Sequence, residues 1–290
     1  MAEKGWCLVL AIWGDRYSDD YVNQLARSAR ALSRDCTGVV VFTDRDRSGV
    51  DPSIRQARFP AFFDRAEFYR GGYVVKLSVF SRWGLPSDTT CVYLDLDTVV
   101  TGDLGRVAAL VRGRNDYLML PPGNLIGFGT LRRFIYRLTG GHRFAIGNSS
   151  VLAYSSAAEP NLCEAYQQLY ESDLRAASYM HVDDRFISWF AQSRLRAVPP
   201  RLAVMFRREF LSRGPLTGWL KNHLPGRRRR LDTIAAITFN GADYKPESLL
   251  MLKEGEVIQD KRGRSGIWSR ESLGSTYDKI LTFCQAVVRR

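Results

Sequence analysis

The first half of the chain alternates between continuous apolar runs and amphipathic segments. The run WCLVLAIW at residues 6–13 is followed by YVNQLARSARALSR, in which Val22, Leu25, Ala29 and Leu32 recur at helical spacing. A second apolar run, GVVVFTD, comes next. A strand, a helix and a strand with uninterrupted apolar runs predict a parallel sheet covered on both faces. Such sheets bind ligands beyond the carboxyl ends of their strands.

The third apolar run, CVYLDLDTVV, contains two carboxylates, Asp95 and Asp97, near its end. An uncompensated charge in such a place is costly. Because successive side chains of a strand point to opposite faces, an extended Asp95-Leu96-Asp97 segment puts both carboxylates on one side. A doubly negative face suits a hard divalent cation, Mg²⁺ or Mn²⁺, that bridges to phosphate oxygens.

The remaining pattern predicts further alternation of helices and strands. YVVKLSVF reads as a helix with Lys76 in its first turn, and TGDLGRVAALV as a turn followed by a short helix. We predict strands in DYLMLPP, FAIGNSSVLAYSS and LDTIAAITFN, and helices in NLCEAYQQLYESDLR and VDDRFISWFAQ.

Composition limits the classes of protein to consider. The 290 residues, 45% of them hydrophobic, suffice for one large α/β domain or two smaller halves. The longest apolar run is far shorter than the roughly 20 residues that cross a bilayer. Five cysteines form no close pair, so neither a zinc site nor a disulfide framework is indicated, and a reducing cytoplasm is expected. The net charge of +12 favours polyanionic partners: nucleotide diphosphates, anionic lipid or nucleic acid.

Taken in order, the segments WGDRYSDDYVNQL, VVVFTD, YVVKLSVF, VYLDLDTVVTGDL, GNSSVLAY, VDDRFIS and FNGADYKP resemble nucleotide-sugar glycosyltransferases of the GT-A fold. The resemblance is closest to the family 8-like group among bacterial polysaccharide and lipopolysaccharide enzymes. It implies an α/β fold with a mostly parallel central sheet flanked by helices. A Rossmann-like donor half, residues 1–105, would join an acceptor half with a basic, helical C-terminal segment, residues 106–290, in one continuous domain.

The same resemblance implies roles for particular residues. Asp95 and Asp97 match the D-x-D motif that holds Mn²⁺ or Mg²⁺ on the donor diphosphate, and Lys76 matches a basic residue beside it. The other residues that the resemblance assigns to the donor are Asp15, Tyr17, Asp44, Asn148, Ser149 and Lys245. Asp183 and Asp184 are the candidate catalytic residues, because they match the pair that contacts the donor sugar and lies near its anomeric carbon.

Two departures from the family pattern concern the reacting centre and the metal. Asp184 stands where the family usually has Gln, and Thr238 and Asn240 stand where its members carry a metal-binding His. The third metal ligand is therefore open, with Asn240 as a candidate. Carboxylates alone stay ionised to about pH 4, so we predict a metal affinity that is nearly independent of pH. His181 is the candidate histidine for entering the site by another route.

The function that the resemblance implies is metal-dependent transfer of a sugar. The expected donor is a UDP-sugar and the acceptor a glycan or a lipid-linked glycan of bacterial surface polysaccharide. A sugar nucleotidyltransferase is an alternative, although its glycine-rich, Arg-Lys-containing N-terminal phosphate loop is missing. A basic nucleic-acid-binding protein is another, but no recognition motif supports it and we expect no nucleic acid. An inactive scaffold of the same fold is the third alternative.

Residues 206–230 combine basic and apolar positions in a different way from the rest of the chain. FRREFLSRG and GRRRR frame an apolar segment that contains Trp219 and Leu220. Basic residues attract anionic lipid and aromatic residues favour the interface. This segment is therefore a candidate for peripheral contact with the inner face of the membrane, and a solvated basic loop is the alternative.

Overall fold

The computed structural model describes residues 5–70, 73–121, 134, 138, 145–239 and 244–288. In these ranges the strands are β1 (Trp6–Ile12), β2 (Cys36–Thr43), β3 (Arg55–Arg58), β4 (Thr90–Leu94), β5 (Thr98–Val100), β6 (Tyr117–Leu120), β7 (Asn148–Ser155), β8 (Leu195–Ala197), β9 (Ala203–Met205), β10 (Ala236–Thr238), β11 (Val257–Gln259) and β12 (Ser265–Ile267). The α-helices are α1 (Asp19–Leu32), α2 (Ala66–Arg70), α3 (Gly105–Ala108), α4 (Leu162–Ser172), α5 (Leu174–Tyr179), α6 (Asp183–Ala191), α7 (Phe206–Phe210), α8 (Pro215–His223), α9 (Arg227–Asp232), α10 (Pro246–Leu250), α11 (Arg270–Leu273) and α12 (Thr276–Val287). Two 3₁₀ helices span Val74–Phe80 and Gln192–Arg194. Among all these described helices, none has the length and apolar character needed to span a membrane.

Seven strands form the central sheet, in the order β3-β2-β1-β4-β7-β6-β8. The four strands from β3 to β4 are parallel, β7 runs antiparallel to β4 and β6, and β6 is parallel to β8. The predicted α/β fold with a mostly parallel central sheet is confirmed. Because β7 is antiparallel to β4, the beginning of β7 lies beside the carboxyl end of β4.

Burial explains why the apolar runs became these elements. All seven side chains of β1 are buried. Leu8 and Leu10 face one hydrophobic cluster, which includes residues of α1 and α12. Cys7 and Val9 face a second cluster, which includes residues of α4, α6 and the 3₁₀ helix Val74–Phe80. A strand between two cores has no solvent face, so its sequence is continuously apolar.

A second, three-stranded sheet in the order β5-β10-β9 extends from the carboxyl end of β4. Strand β5 is antiparallel to β10, and β9 is parallel to it. Thr238 pairs with both Thr98 and Met205, and the next backbone N–H, of Phe239, donates to the carbonyl of Asp97 at 2.8 Å. These bonds connect the C-terminal part of the chain to the D-x-D segment.

Some strands have no apolar run in the sequence and were not predicted. Strand β3 has the sequence RQAR and pairs only with β2, at the edge of the described sheet. The hairpin of β11 and β12 exposes Val257 and Ile267. Strands at the edge of a sheet, or with one face exposed to solvent, need no continuous apolar run, because only some of their side chains are buried.

Candidate functional site

A cleft of about 740 Å³ opens at the carboxyl ends of β1 and β4. It is lined by residues 11–17, 95–97, 148–150 and 182–184, together with Tyr69, Tyr73, Lys76 and Tyr93. This is the edge at which a largely parallel sheet is expected to bind a ligand. The predicted site residues in its lining are Asp15, Tyr17, Lys76, Asp95, Asp97, Asn148, Ser149, Asp183 and Asp184. Asp44 and Lys245 are not among the lining residues.

The D-x-D carboxylates lie in a turn, and not in the extended segment that the sequence pattern predicts. Strand β4 ends at Leu94, and a turn leads to β5. The Asp95 N–H donates to the carbonyl of Ser150 at 2.9 Å, which ties the turn to the start of β7. The Tyr93 hydroxyl donates to Asp95 Oδ1 at 2.7 Å. Both carboxylates still reach the same cleft, because the turn as a whole forms part of its wall.

Asp97 is a half-buried carboxylate next to a like charge. Burial, followed by the charge of Asp95, raises its pKa to about 7. Its Oδ1 lies 3.5 Å from the Thr238 hydroxyl, a long hydrogen bond at one of the two positions where the family carries His. Because both causes of the raised pKa penalise negative charge, a bound cation would stabilise the ionised pair.

Lys76 supplies the positive charge that the predicted site requires, and it lies on the 3₁₀ helix Val74–Phe80. Its Nζ is 2.9 Å from Asp95 Oδ1 and 2.8 Å from Asp183 Oδ2, and it donates to Ser149 Oγ at 2.9 Å. Burial alone would lower the pKa of Lys76, but the charges of Asp183 and Asp95 outweigh it and hold this pKa well above its ordinary value. The ammonium group is therefore charged and oriented.

Asp184 differs from its neighbour Asp183 in what it contacts. It accepts the backbone N–H of Ser149 at 2.5 Å and lies 3.3 Å from the Asn148 side-chain amide. Burial, followed by the charge of Asp183, raises the pKa of Asp184 to about 7. The start of α6 thus presents two carboxylates with different sets of partners. Asp183 binds Lys76 and accepts the Ser149 hydroxyl, whereas Asp184 binds the backbone N–H of Ser149 and the Asn148 side chain.

The loop after β1 carries two of the predicted donor residues. Asp15 is largely exposed and forms an ion pair with Arg45. Tyr17 is half-buried, and its ring makes an edge contact with Tyr21 at a centroid distance of 5.0 Å. Burial, followed by the charge of Asp97, raises the pKa of Tyr17 above its ordinary value. The Tyr17 hydroxyl is thus neutral and close enough to the D-x-D turn to experience its charge.

Asp44, at the end of β2, supports this loop from behind. Its carboxylate accepts the Gly14 N–H at 3.0 Å and forms an ion pair with Arg47 at 3.0 Å. Arg47 is buried and also donates to the Gly14 carbonyl at 2.8 Å and to Asp19 at 3.2 Å. Burial acts to raise the pKa of Asp44, but these partners together lower it. Arg47 therefore connects the loop, β2 and the start of α1.

The two carboxylates of the D-x-D turn suit a metal ion that binds together with a phosphate ligand. In the described part of the chain, no cluster of three or more His, Cys, Asp or Glu side chains is placed to hold a metal ion. Mg²⁺ commonly binds through one or two carboxylates and completes its coordination with water and substrate phosphates. Asp95 and Asp97 fit that arrangement. Asn240, the candidate third ligand, lies outside the described residues. His181 is exposed, 2.7 Å from the Ser178 carbonyl, and does not line the cleft.

Arg16 and three tyrosines also line the cleft and were missed in the sequence. Arg16 is exposed, lies 5.3 Å from the Tyr17 ring centroid and opposes the rise in the pKa of Asp97. The sequence held a signal for Tyr93, because it precedes Asp95 by two residues and an extended segment would put both side chains on one face. Lys245, by contrast, is exposed directly before α10.

The structure resembles several solved glycosyltransferases, although no family model and no curated protein matches the sequence. One is the galactosyltransferase LgtC in complex with donor and acceptor sugar analogues, with a TM-score of 0.56 at 14% identity over 98% of this chain and 97% of LgtC. Another is the bifunctional glycosyltransferase WbbM, with a TM-score of 0.53 at 12% identity over 99% of this chain and 50% of WbbM. The glycosyltransferase GlyE of Streptococcus pneumoniae TIGR4 gives 0.52 at 13% identity over 83% of this chain and 56% of GlyE. At these identities the likeness concerns the fold, and the predicted GT-A fold is confirmed.

Proposed function

We propose that the protein is a glycosyltransferase that moves a sugar from a nucleotide-diphosphate sugar, with a UDP-sugar as the expected donor, to a glycan or lipid-linked acceptor. The observation that carries this proposal is the junction of the D-x-D turn with the buried Lys76–Asp183 ion pair at one cleft. A fold shared with LgtC, whose complex contains donor and acceptor sugar analogues, supports it. Fold alone does not decide activity, so the proposal depends on the residues of the cleft.

Asp95 and Asp97 are the residues that would hold Mn²⁺ or Mg²⁺, with Asn240 as a candidate third ligand. The bound metal would act as a Lewis acid and stabilise the departing nucleoside diphosphate. Lys76 adds a fixed positive charge beside Asp95. A charged, preorganised donor next to developing phosphate charge stabilises it without further rearrangement.

Asp183 and Asp184, the two candidate catalytic residues, take different parts in this proposal. Asp183 is almost fully buried and binds Lys76 and Ser149, so it positions the ammonium group. Asp184 is the carboxylate that would face the sugar, because it is the more exposed of the two in the cleft lining and contacts Asn148 and Ser149 at the start of β7. With a pKa raised to about 7, it is able to exchange a proton near neutral pH.

The donor nucleoside is assigned to the loop after β1. Tyr17 offers an aromatic face and Asp15 an acceptor for ribose hydroxyls, whereas Asp44 holds the loop through Gly14. Lys245 remains a proposed phosphate ligand from outside the cleft lining. Residues 1–105 would form the donor half and residues 106–290 the acceptor half of one domain.

The cellular setting is also part of the proposal: synthesis of bacterial surface polysaccharide or lipopolysaccharide in the cytoplasm, at the inner face of the membrane. The basic segment 206–230 supports peripheral contact. Arg227 is buried and donates to the Ser272 carbonyl, and Arg230 pairs with Glu209, so Arg228 and Arg229 are the exposed arginines of GRRRR. The side chains of Trp219 and Leu220 lie outside the described residues.

The direct test is release of UDP from a panel of UDP-hexoses in Mn²⁺, followed by mass spectrometry of the transferred sugar. We expect EDTA to abolish release, and Asp95→Asn or Asp97→Asn to lower it by roughly a hundredfold, as loss of a transition-state charge contact does. Asp46→Asn is the matched control, because Asp46 is almost fully exposed outside the cleft. Release that EDTA leaves unchanged, with Asp95→Asn and Asp97→Asn as active as Asp46→Asn, would contradict the proposal.

A further inference from the structure

Two segments that are distant in the sequence and carry three arginines pack together beside the second sheet. Arg207 lies on α7, and Arg262 and Arg264 lie in the turn of the β11–β12 hairpin. Ser212 and Ser265 exchange two backbone hydrogen bonds of 2.8 Å, which hold this hairpin against the chain that follows α7. We call Arg207, Arg262 and Arg264 the arginine cluster.

The arginine cluster contains more positive charge than its described surroundings neutralise. Arg264 pairs with Asp260 at 2.5 Å, and this carboxylate also accepts the backbone N–H groups of Arg262 and Arg264 at 2.9 Å. Among the described residues, neither Arg207 nor Arg262 has a carboxylate partner, and the buried Nε of Arg207 has no hydrogen-bond acceptor. Burial, followed by the charges of Arg264 and Arg262, lowers the pKa of Arg207.

The arginine cluster lies outside the described lining of the cleft, but its position is related to the D-x-D turn through the second sheet. Helix α7 follows β9, whose last residue, Met205, pairs with Thr238 beside Asp97. The ring of Phe206 stacks on Phe239 at 4.6 Å, and the Phe239 N–H donates to the Asp97 carbonyl. Arg207 therefore lies at the same end of the second sheet as the D-x-D turn.

We propose that the arginine cluster binds a phosphate group carried by the acceptor. This proposal rests on the proposed function, because it takes a sugar acceptor as given. A planar guanidinium group binds phosphate oxygens through paired, charge-assisted hydrogen bonds. A phosphate at this position gives the buried Nε of Arg207 an acceptor and offsets the repulsion among the three arginines. An acceptor anchored there lies next to the D-x-D turn without occupying the donor-binding loop.

The experiment is a calorimetric titration with pyrophosphate in EDTA, which removes metal-dependent binding at Asp95 and Asp97. Arg207→Gln and Arg262→Gln should each weaken binding by about tenfold, as loss of a charged hydrogen bond does. Arg34→Gln, at an exposed position near the amino end of β1, should match wild type. Arg262 is exposed, so Arg262→Gln reports on the proposal even if Arg207→Gln impairs folding. No binding of pyrophosphate, or variants equal to Arg34→Gln, would overturn the proposal.

Two further measurements separate the sources of the phosphate and the two proposals. If wild type is retained on phosphatidic acid vesicles and Arg207→Gln abolishes this retention, the phosphate belongs to a lipid-linked acceptor. If Arg207→Gln weakens the binding of pyrophosphate but does not change retention on the vesicles, the phosphate belongs to a soluble acceptor. Binding of UDP with Mn²⁺ should be the same in wild type and both variants. If wild type binds pyrophosphate through the arginine cluster but neither binds nor hydrolyses any UDP-sugar, the proposed donor chemistry fails and the anion site remains.

Discussion

Lys76 is buried between two carboxylates, 2.8 Å from Asp183 and 2.9 Å from Asp95. Removing one partner of a buried ion pair leaves an uncompensated charge and costs about 3–5 kcal/mol. We expect Lys76→Met to lower the free energy of unfolding by about this amount in urea denaturation. The double variant Lys76→Met/Asp183→Asn should recover part of the loss, because it removes the stranded charge as well. A double variant that is less stable than Lys76→Met would contradict this account.

At Asp97 the structure changes the prediction made from the sequence. Metal affinity was predicted to be nearly flat with pH, yet burial and the charge of Asp95 raise the pKa of Asp97 to about 7. The protonated carboxyl cannot ligate metal, so Mn²⁺ affinity in the presence of UDP should be constant above this pKa. It should fall as the pH drops below it, by up to about tenfold per unit. Calorimetry between about pH 5.5 and 8, corrected for phosphate protonation, tests this.

His181→Ala is the matched control for the titration of Asp97. The imidazole is exposed and does not line the cleft, so the variant should follow the wild-type pH dependence. A slope that vanishes in His181→Ala would instead show that a histidine ligates the metal.

At the scale of the elements, the loop between β1 and α1 is held by a residue that is distant in the sequence. Arg47 joins it to β2 through Gly14, Asp19 and Asp44 and is almost fully buried. Arg47→Met should leave the loop poorly positioned and weaken UDP binding by about tenfold, because several charged hydrogen bonds are lost. Titration of UDP in Mn²⁺ measures this effect, and Arg47→Lys should restore part of it.

Arg45→Met provides the comparison at the same loop. Arg45 pairs with Asp15 and Asp44 on the surface, where its side chain is 47% exposed, and exposed ion pairs contribute about 0–1 kcal/mol. A much smaller loss of UDP affinity is therefore expected than for Arg47→Met. Equal losses of UDP affinity in the two variants would show that the positive charge near the loop, and not the buried position of Arg47, determines binding.

At the scale of the whole molecule, the net charge of +12 predicts association with anionic surfaces. We expect Arg228→Gln/Arg229→Gln to weaken binding to phosphatidylglycerol vesicles by roughly thirtyfold, since each basic residue near such a surface contributes about 1 kcal/mol. The control Arg34→Gln/Arg112→Gln removes the same charge from other exposed positions. Flotation measures both variants, and equal retention would assign binding to net charge and not to residues 206–230.

Much of the fold and of the site was predictable from local sequence. The strands β1, β2 and β4 were identified because a strand buried on both faces must be apolar throughout, and burial of this kind leaves a continuous run. Asp95 and Asp97 stood out because two carboxylates break such a run. The order of motifs then predicted the GT-A fold, although the likeness to solved structures is at only 12–14% identity.

Tertiary structure decided what depends on contacts between distant segments. The sequence alone determined which residue types lie at the strand ends, but only the packing paired Lys76 with Asp183 and buried Arg47 behind the loop after β1. It also set the antiparallel β7 against β4 and brought the β11–β12 hairpin against the chain that follows α7. The pattern of apolar residues along a segment shows that one of its faces is buried, but not which segment covers that face. Burial against any apolar surface is favourable, so the pattern is the same for every neighbour. Charged partners, a raised carboxylate pKa and the D-x-D turn depend on which neighbour is there, and only the folded chain specifies that.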